Sequence, residues 1–219
     1  MGDSHTHPKY QCILLFGAPG AGKGTQGAIL GRIPGFFHLS CGEVFRSLDI
    51  HSELGQVFYE YSSKGELVPD KVTVDMWVEN VHAQTILALY KPHDDLLVLD
   101  GIPRNAEQAR LMDEHIDVLG IVHLVCKDKE AMIKRLRRRA LKENRIDDAK
   151  EDVIRNRWRV YEAETAPVLE HYRNAIIHEV DAVGSPANVL QHVLEVVVPI
   201  QDGHFNNPID GEPTGPGPV

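Results

Sequence analysis

Gly17-Ala-Pro-Gly-Ala-Gly-Lys-Gly-Thr25 has the residue types and spacing of a site that holds phosphate. Glycines at 17, 20, 22 and 24 let the backbone turn tightly and aim successive N–H groups inward. A helix that follows such a turn adds the positive end of its dipole. Lys23 supplies a cation for the outer phosphates. The motif carries weight only between a strand and a helix, and both are expected here: Cys12–Phe16 is an apolar run, and Thr25–Arg32 reads as helix. One departure stands out. The strict motif places Ser or Thr directly after the lysine, whereas Gly24 intervenes and Thr25 follows. Asp100, at the end of another apolar run, is a candidate carboxylate for the same chemistry.

The overall charge bears on what else could bind. Lys and Arg number 23 against 32 Asp and Glu, a net charge of -9 over 219 residues. Such a chain is a poor general partner for nucleic acid or an anionic membrane, so an anion must be held by a local cluster of donors. The 12 histidines form no H-E-x-x-H pattern. Cys12, Cys41 and Cys126 contain no C-x-x-C pair, so no zinc ribbon is expected, and the sparse, odd count suits a reducing cytosol. Met1–Lys9 lacks the apolar core of a signal peptide, and runs such as Leu96–Leu99 are too short to span a bilayer. The expectation is a soluble cytoplasmic protein, 42% hydrophobic and mostly folded.

Stepping along the chain, short continuous apolar segments alternate with helical periodicity. Strands are expected at Cys12–Phe16, Phe36–Leu39, Leu96–Leu99, Ile121–Val125 and Ile176–Val180. Helices are expected at Ser52–Lys64, from an Asp70 cap to about Tyr90, and at Ala106–His115, Lys129–Arg139, about Glu151–Asn174, and Ser185–Val197. Five buried strands separated by helices make one α/β domain with a parallel sheet covered on both faces. That domain is expected over 10–199. Residues 1–9 and the Pro/Gly-rich tail 200–219 are expected to be disordered, since neither can bury enough apolar area to offset chain entropy.

Gly-Lys-Gly-Thr-Gln, at Gly22–Gln26, resembles the variant loop of adenylate kinases and the related UMP/CMP kinases. The likeness extends from about Cys12 to Val197 through several separate motifs. Leu39-Ser-Cys-Gly-Glu-Val-Phe-Arg46 resembles Ser-Thr-Gly-Asp-x-x-Arg, which implies that Arg46 grips the acceptor phosphate. Lys64-Gly-Glu-Leu-Val-Pro-Asp70 resembles the segment along the acceptor base, implicating Glu66, Leu67 and Val68. Leu99-Asp-Gly-Ile-Pro-Arg104 resembles Asp-Gly-Phe-Pro-Arg, with Ile102 for Phe, and implicates Gly101 and Arg104 at the acceptor phosphate. Arg135, Arg139 and Arg145-Ile-Asp-Asp148 resemble the arginines around a short lid, about 138–148, and the acceptor segment spans about 40–69. Arg157-Trp-Arg-Val-Tyr161 resembles the last arginine motif; a second alignment places Asn156 there instead.

The resemblance implies a P-loop NTPase-type fold, with a five-stranded parallel sheet, a helical acceptor-binding insertion and a short lid. It implies transfer of the ATP γ-phosphoryl group to AMP by a monomer. ATP would be held by Gly20, Ala21, Gly22, Lys23, Gly24, Thr25, Arg135, Arg139 and Gly184. AMP would be held by Cys41, Arg46, Glu66, Leu67, Val68, Gly101, Arg104, Gln108, Arg145 and Arg157. Lys23, Arg104, Arg139, Arg145 and Arg157 would be catalytic. Mg²⁺ would accompany ATP, near Thr25 and Asp100 through water; no lid zinc is implied, because no cysteine lies in the lid. The acceptor base stays open. Cys41 replaces both the Thr usual in adenylate kinases and the Ala usual in UMP/CMP kinases, Pro103-Arg104-Asn105 matches the latter, and Gln108 matches the adenine-reading Gln of the former. A side-chain amide can meet adenine's donor and acceptor together, which favours AMP, with UMP/CMP kinase activity as the alternative. A nucleotide-switched binding protein is the alternative of another class; it would keep the loop and need no second phosphate site.

Overall fold

The computed structural model describes residues 9–143 and 150–204. Five strands, β1 (Tyr10–Gly17), β2 (Phe36–Ser40), β3 (Leu96–Asp100), β4 (Ile116–Val125) and β5 (Ile177–Asp181), form one sheet in the order β2-β3-β1-β4-β5. All pairings are parallel. The apolar runs have no polar alternation because both faces of the sheet are covered. Cys12, Leu14 and Phe16 point into one hydrophobic cluster and Ile13 and Leu15 into the other. Each such fully buried side chain contributes roughly 1.5–3 kcal/mol.

The helices are α1 (Lys23–Leu30), α2 (Cys41–Ser47), α3 (Glu53–Ser62), α4 (Asp70–Ile86), α5 (Ala106–Met112), α6 (Lys129–Glu143), α7 (Glu151–Val160) and α8 (Pro186–Asp202). Ser52 caps α3 by accepting from Gly55 N at 3.0 Å, and Asn105 caps α5 by accepting from Gln108 N at 2.8 Å. Asp70 is not a cap: it is the first residue of α4, Pro69 holds the cap position, and the carboxylate turns to α5 instead. The helix expected over Glu151–Asn174 ends at Val160. The chain continues as a wide π turn, Tyr161–Thr165, and a 3₁₀ segment, Ala166–His171, with Pro167 near its start.

Strand β4 begins five residues before Ile121, because a bulge absorbs its irregular start: Cys12 pairs with Val118 and Ile13 with Gly120. A Cβ on Gly120 would collide with Ile200 of α8. That contact helps explain why α8 runs past Pro199 to Asp202, so residues 200–202, expected in the tail, are helical. Gln201 Nε2 donates to Pro34 O at 2.8 Å, and buried His204 Nδ1 lies 2.6 Å from Gln11 Oε1 at the start of β1. Residues 144–148 of the expected lid, including Arg145, and residues 1–8 and 205–219 of the stretches expected to be disordered lie outside the described residues. Among the described residues no helix is long and apolar enough to cross a membrane.

Candidate active site

At the carboxyl ends of the strands, where the order reverses about β1, lies a cleft open to solvent. This is where parallel sheets commonly bind ligands. Its lining comes from four parts of the chain: Gly17, Pro19 and Lys23 after β1; Cys41, Arg46, Phe58 and Glu66–Val68 from α2, α3 and the segment after them; Gly101, Arg104 and Gln108 after β3; and Arg157 and Tyr161 from α7 and its following turn.

The loop is built to receive an anion. Gly22, the cap residue of α1, has φ +100°, a conformation L side chains avoid. No side chain caps α1 and no acid lies in its first turn, so the orphan N–H groups there suit an anion. Lys23 Nζ donates to Gly17 O at 2.7 Å and Ala18 O at 3.2 Å. An ammonium group has three donors, so these bonds hold it at the loop and leave one for a ligand. Burial lowers the Lys23 pKa to about 8, against the pull of Asp100, and the nearby Arg104, Arg157 and Arg139 lower it further. The site therefore gathers positive charge around Lys23, which holds its own proton less firmly.

The second cation set faces the same space. Arg104 Nε donates to Gly101 O at 2.8 Å. Arg46 folds back over its own helix: a Cβ on Gly42 would lie 3.2 Å from the guanidinium nitrogens. Val153, Ile154 and Trp158 anchor α7 in the protein, and Arg157, four residues after Val153, reaches the cleft. Asn156 instead donates Nδ2 to Lys64 O at 2.8 Å. Gly65, at φ +74°, makes this approach possible, since a Cβ there would meet Val153 O at 2.7 Å and Arg157 Cγ at 3.0 Å. Thus Arg157 is brought to the cleft and Asn156 is tied to the backbone of the segment beside it.

The remaining candidates divide. Gly20, Ala21, Gly24 and Thr25 belong to the loop and to the start of α1. Arg139 is half-buried on α6 and close enough to depress the Lys23 pKa. Arg135 does not line the cleft; it is exposed and donates to Ala182 O at 3.1 Å, which puts it beside the loop containing Gly184. The cluster of Ala18, Met132, Leu136, Ile154 and Trp158 sets α6 and α7 under the phosphate loop, so these arginines are positioned relative to it. Cys41 is buried, which pushes its thiol up to about 11 and keeps it neutral at pH 7.

Gln108 is 1% exposed, and neither end of its amide is idle. Its Oε1 accepts from Arg104 N at 2.8 Å and its Nε2 donates to Asp70 Oδ1 at 3.0 Å. The same Oδ1 accepts from Asn105 Nδ2 at 2.8 Å. Sequence reading missed Asp70 as a member of this group. An aspartate at a helix start reads first as a cap, and 35 residues separate it from Asn105. It also missed the cleft wall formed by Phe45 and Phe58, whose rings stack 5.2 Å apart; the helical spacing of Phe58 reads only as a core face.

The chain is similar to known proteins of one family. The adenylate kinase family profile matches residues 15–177. An adenylate kinase of Flavobacterium psychrophilum is 34% identical over 192 residues, covering 84% of this chain and 97% of that protein. Those of Thermobifida fusca and Rhodococcus erythropolis are 36% identical over 189 residues (83% and 95% covered) and 38% identical over 183 residues (81% and 93% covered). With a phosphate loop opposite a set of arginines in one cleft, and a match of this extent, the chain belongs to the adenylate kinase family.

Proposed function

We propose that this protein transfers the γ-phosphoryl group of ATP to AMP, giving two ADP, and works as a soluble monomer. The observation that carries this reading is that Lys23 and the arginines Arg46, Arg104 and Arg157 line one cleft. A nucleotide-switched binding protein needs only the loop. Two polyanions meeting head to head need fixed positive groups on both sides. The acceptor phosphate is already anionic, so no strong general base is required. All these groups come from one chain, so a monomer suffices. In this reading the segment 40–69 holds AMP, the arginines of α6 and α7 gather around the transferring group, and Arg145 joins them from outside the described residues.

The residues present fit Mg²⁺ held mainly by phosphate and water. Asp100 is 8% exposed at the end of β3, and a Cβ on Gly24 would lie 3.4 Å from its Oδ2. Thr25 is exposed in the first turn of α1. Among the described residues no group of three or more His, Cys, Asp or Glu could hold a metal, so the protein offers a sparse donor set, as Mg²⁺ commonly uses with nucleotides. When bound with ATP, Mg²⁺ would neutralise charge on the phosphates; Asp100 and Thr25 would orient it.

The pyrimidine alternative drew on Asn105. Its side chain is accounted for by capping α5 and by its bond to Asp70, so Gln108 carries the base preference, which supports AMP. Steady-state ADP formation with AMP, CMP and UMP tests this: AMP is expected to give a kcat/KM at least about tenfold above UMP, from the worth of one paired base edge, and to exceed CMP, whose edge matches adenine's but whose single ring fills less of the acceptor site. A preference for CMP would reverse the assignment.

The charge on Lys23 gives a second test. Its lowered pKa means that the ammonium form is lost as pH rises through about 8 in the unliganded enzyme. Because kcat/KM reports free-enzyme ionisations, kcat/KM for ATP is expected to turn down above that pH, by about tenfold per unit if the charge is essential. A flat profile from pH 7 to 9.5 would mean that Lys23 keeps its proton or is not needed for ATP capture.

A further inference from the structure

We propose that Asp70 sets the base preference of the acceptor site by fixing which way the Gln108 side-chain amide faces. The proposal rests on the AMP reading above and concerns a residue that contacts Gln108, not the substrate, so Asp70 is a positioning residue.

The argument is one of donors and acceptors. A glutamine amide has two N–H donors on nitrogen and two lone pairs on oxygen. One N–H of Gln108 is taken by the Asp70 carboxylate and one lone pair by the Arg104 backbone N–H. A carboxylate oxygen has no hydrogen to give, and an amide N–H has no lone pair to offer. Turning the Gln108 amide over would place its oxygen against Asp70 and its NH₂ against the Arg104 N–H, two repulsive contacts in a buried place. Only one orientation satisfies both neighbours. Asp70 is itself held: the same Oδ1 accepts from Asn105 Nδ2, and Asn105 Oδ1 accepts from Gln108 N, which closes a ring of hydrogen bonds.

The locked amide keeps one N–H and one lone pair for a ligand, and Gln108 lines the cleft. That pair complements a base edge with an exocyclic amino group next to an unprotonated ring nitrogen, as in adenine. It opposes an edge with a carbonyl oxygen next to a ring N–H, as in hypoxanthine, guanine or uracil. Rejection of the wrong base then comes from a donor facing a donor and an acceptor facing an acceptor, which a freely turning amide would avoid.

Inosine monophosphate is the sharpest probe, because it keeps the purine and reverses only this edge. The unmodified enzyme is expected to favour AMP over inosine monophosphate in kcat/KM by on the order of tenfold or more. Asp70→Asn, whose amide can donate as well as accept, removes one of the two contacts that oppose the turned Gln108 amide and leaves only the Arg104 N–H against it. It is expected to shrink that ratio on the order of tenfold, with the larger change in KM. Asp70→Glu, which can only accept, is expected to restore the preference. Should Asp70→Asn fail to fold by circular dichroism, Asp70→Ser, which also donates and accepts, is read in the same way. A ratio that stays within about twofold, or an equal loss with both nucleotides, overturns the proposal and leaves Asp70 as an anchor between α4 and α5. If instead the unmodified enzyme prefers CMP or UMP to AMP, the AMP reading falls, and that outcome is distinct from failure of the Asp70 variants.

Discussion

Lys23→Met is expected to lower kcat on the order of 10³-fold, the scale set by losing a preorganised charge at a transferring phosphoryl group, while the protein stays folded. Methionine matches the length of the lysine stem and fills the same space. Two opposing effects act on stability. The variant loses the bonds to Gly17 O and Ala18 O, and it is relieved of holding a charge in a place where burial lowers the pKa to about 8. The melting temperature is therefore expected to move by no more than about 5 °C at pH 7, since 1 kcal/mol shifts a domain of this size by a few degrees.

The pH dependence of that difference has a definite sign. The folded pKa, about 8, lies below the ordinary 10.5, so between these values the unfolded chain binds more protons. Stability contributed by this group then rises with pH through that window. Unmodified protein should gain relative to Lys23→Met between about pH 8 and 10.5. Parallel denaturation series at pH 7 and pH 10 would check it, and a constant gap would mean that Lys23 is not strained by burial. Undiminished ADP formation by a folded Lys23→Met would remove the lysine from the chemistry altogether.

The second large effect separates two neighbouring residues. Arg157→Met is expected to lower kcat by about 10²–10³-fold, the cost typical of losing one donor to developing charge. Asn156→Ala is expected to leave kcat within about threefold and to reduce stability by roughly 0.5–1.5 kcal/mol, the worth of its bond to the Lys64 carbonyl. Arg157 also depresses the Lys23 pKa, so its removal should carry the alkaline downturn of kcat/KM for ATP to higher pH. A shift in that limb together with the loss of kcat marks an electrostatic role in the cleft. If Asn156→Ala proved the more damaging change, the cation would have to come from elsewhere.

The strands were the most legible part of the chain, because a doubly covered sheet leaves continuous apolar runs such as Cys12–Phe16 and Leu96–Leu99. The phosphate loop was equally plain, since its glycines and lysine are contiguous. Legibility failed where tertiary contacts overrule local preference. Helix α2 is short and contains Gly42, so no periodicity announces it. Pro199 argues for a helix end by Val197, yet Ile200 over Gly120 and Gln201 on Pro34 carry α8 onward. Arg157 was found only through motif likeness, because its place depends on Gly65 letting another segment lie against α7. Motif likeness points to Gln108 as a reader of the base, but nothing in its local sequence points to the two neighbours that restrain it.

The bond between His204 and Gln11 joins the far end of α8 to the opening of β1. Gly17, at the other end of that strand, lines the cleft. Gln11 and His204 thus meet at the end of β1 away from the cleft. Fluorophores, affinity handles or a solid support attached at exposed Lys9 would leave the mouth of the cleft unobstructed.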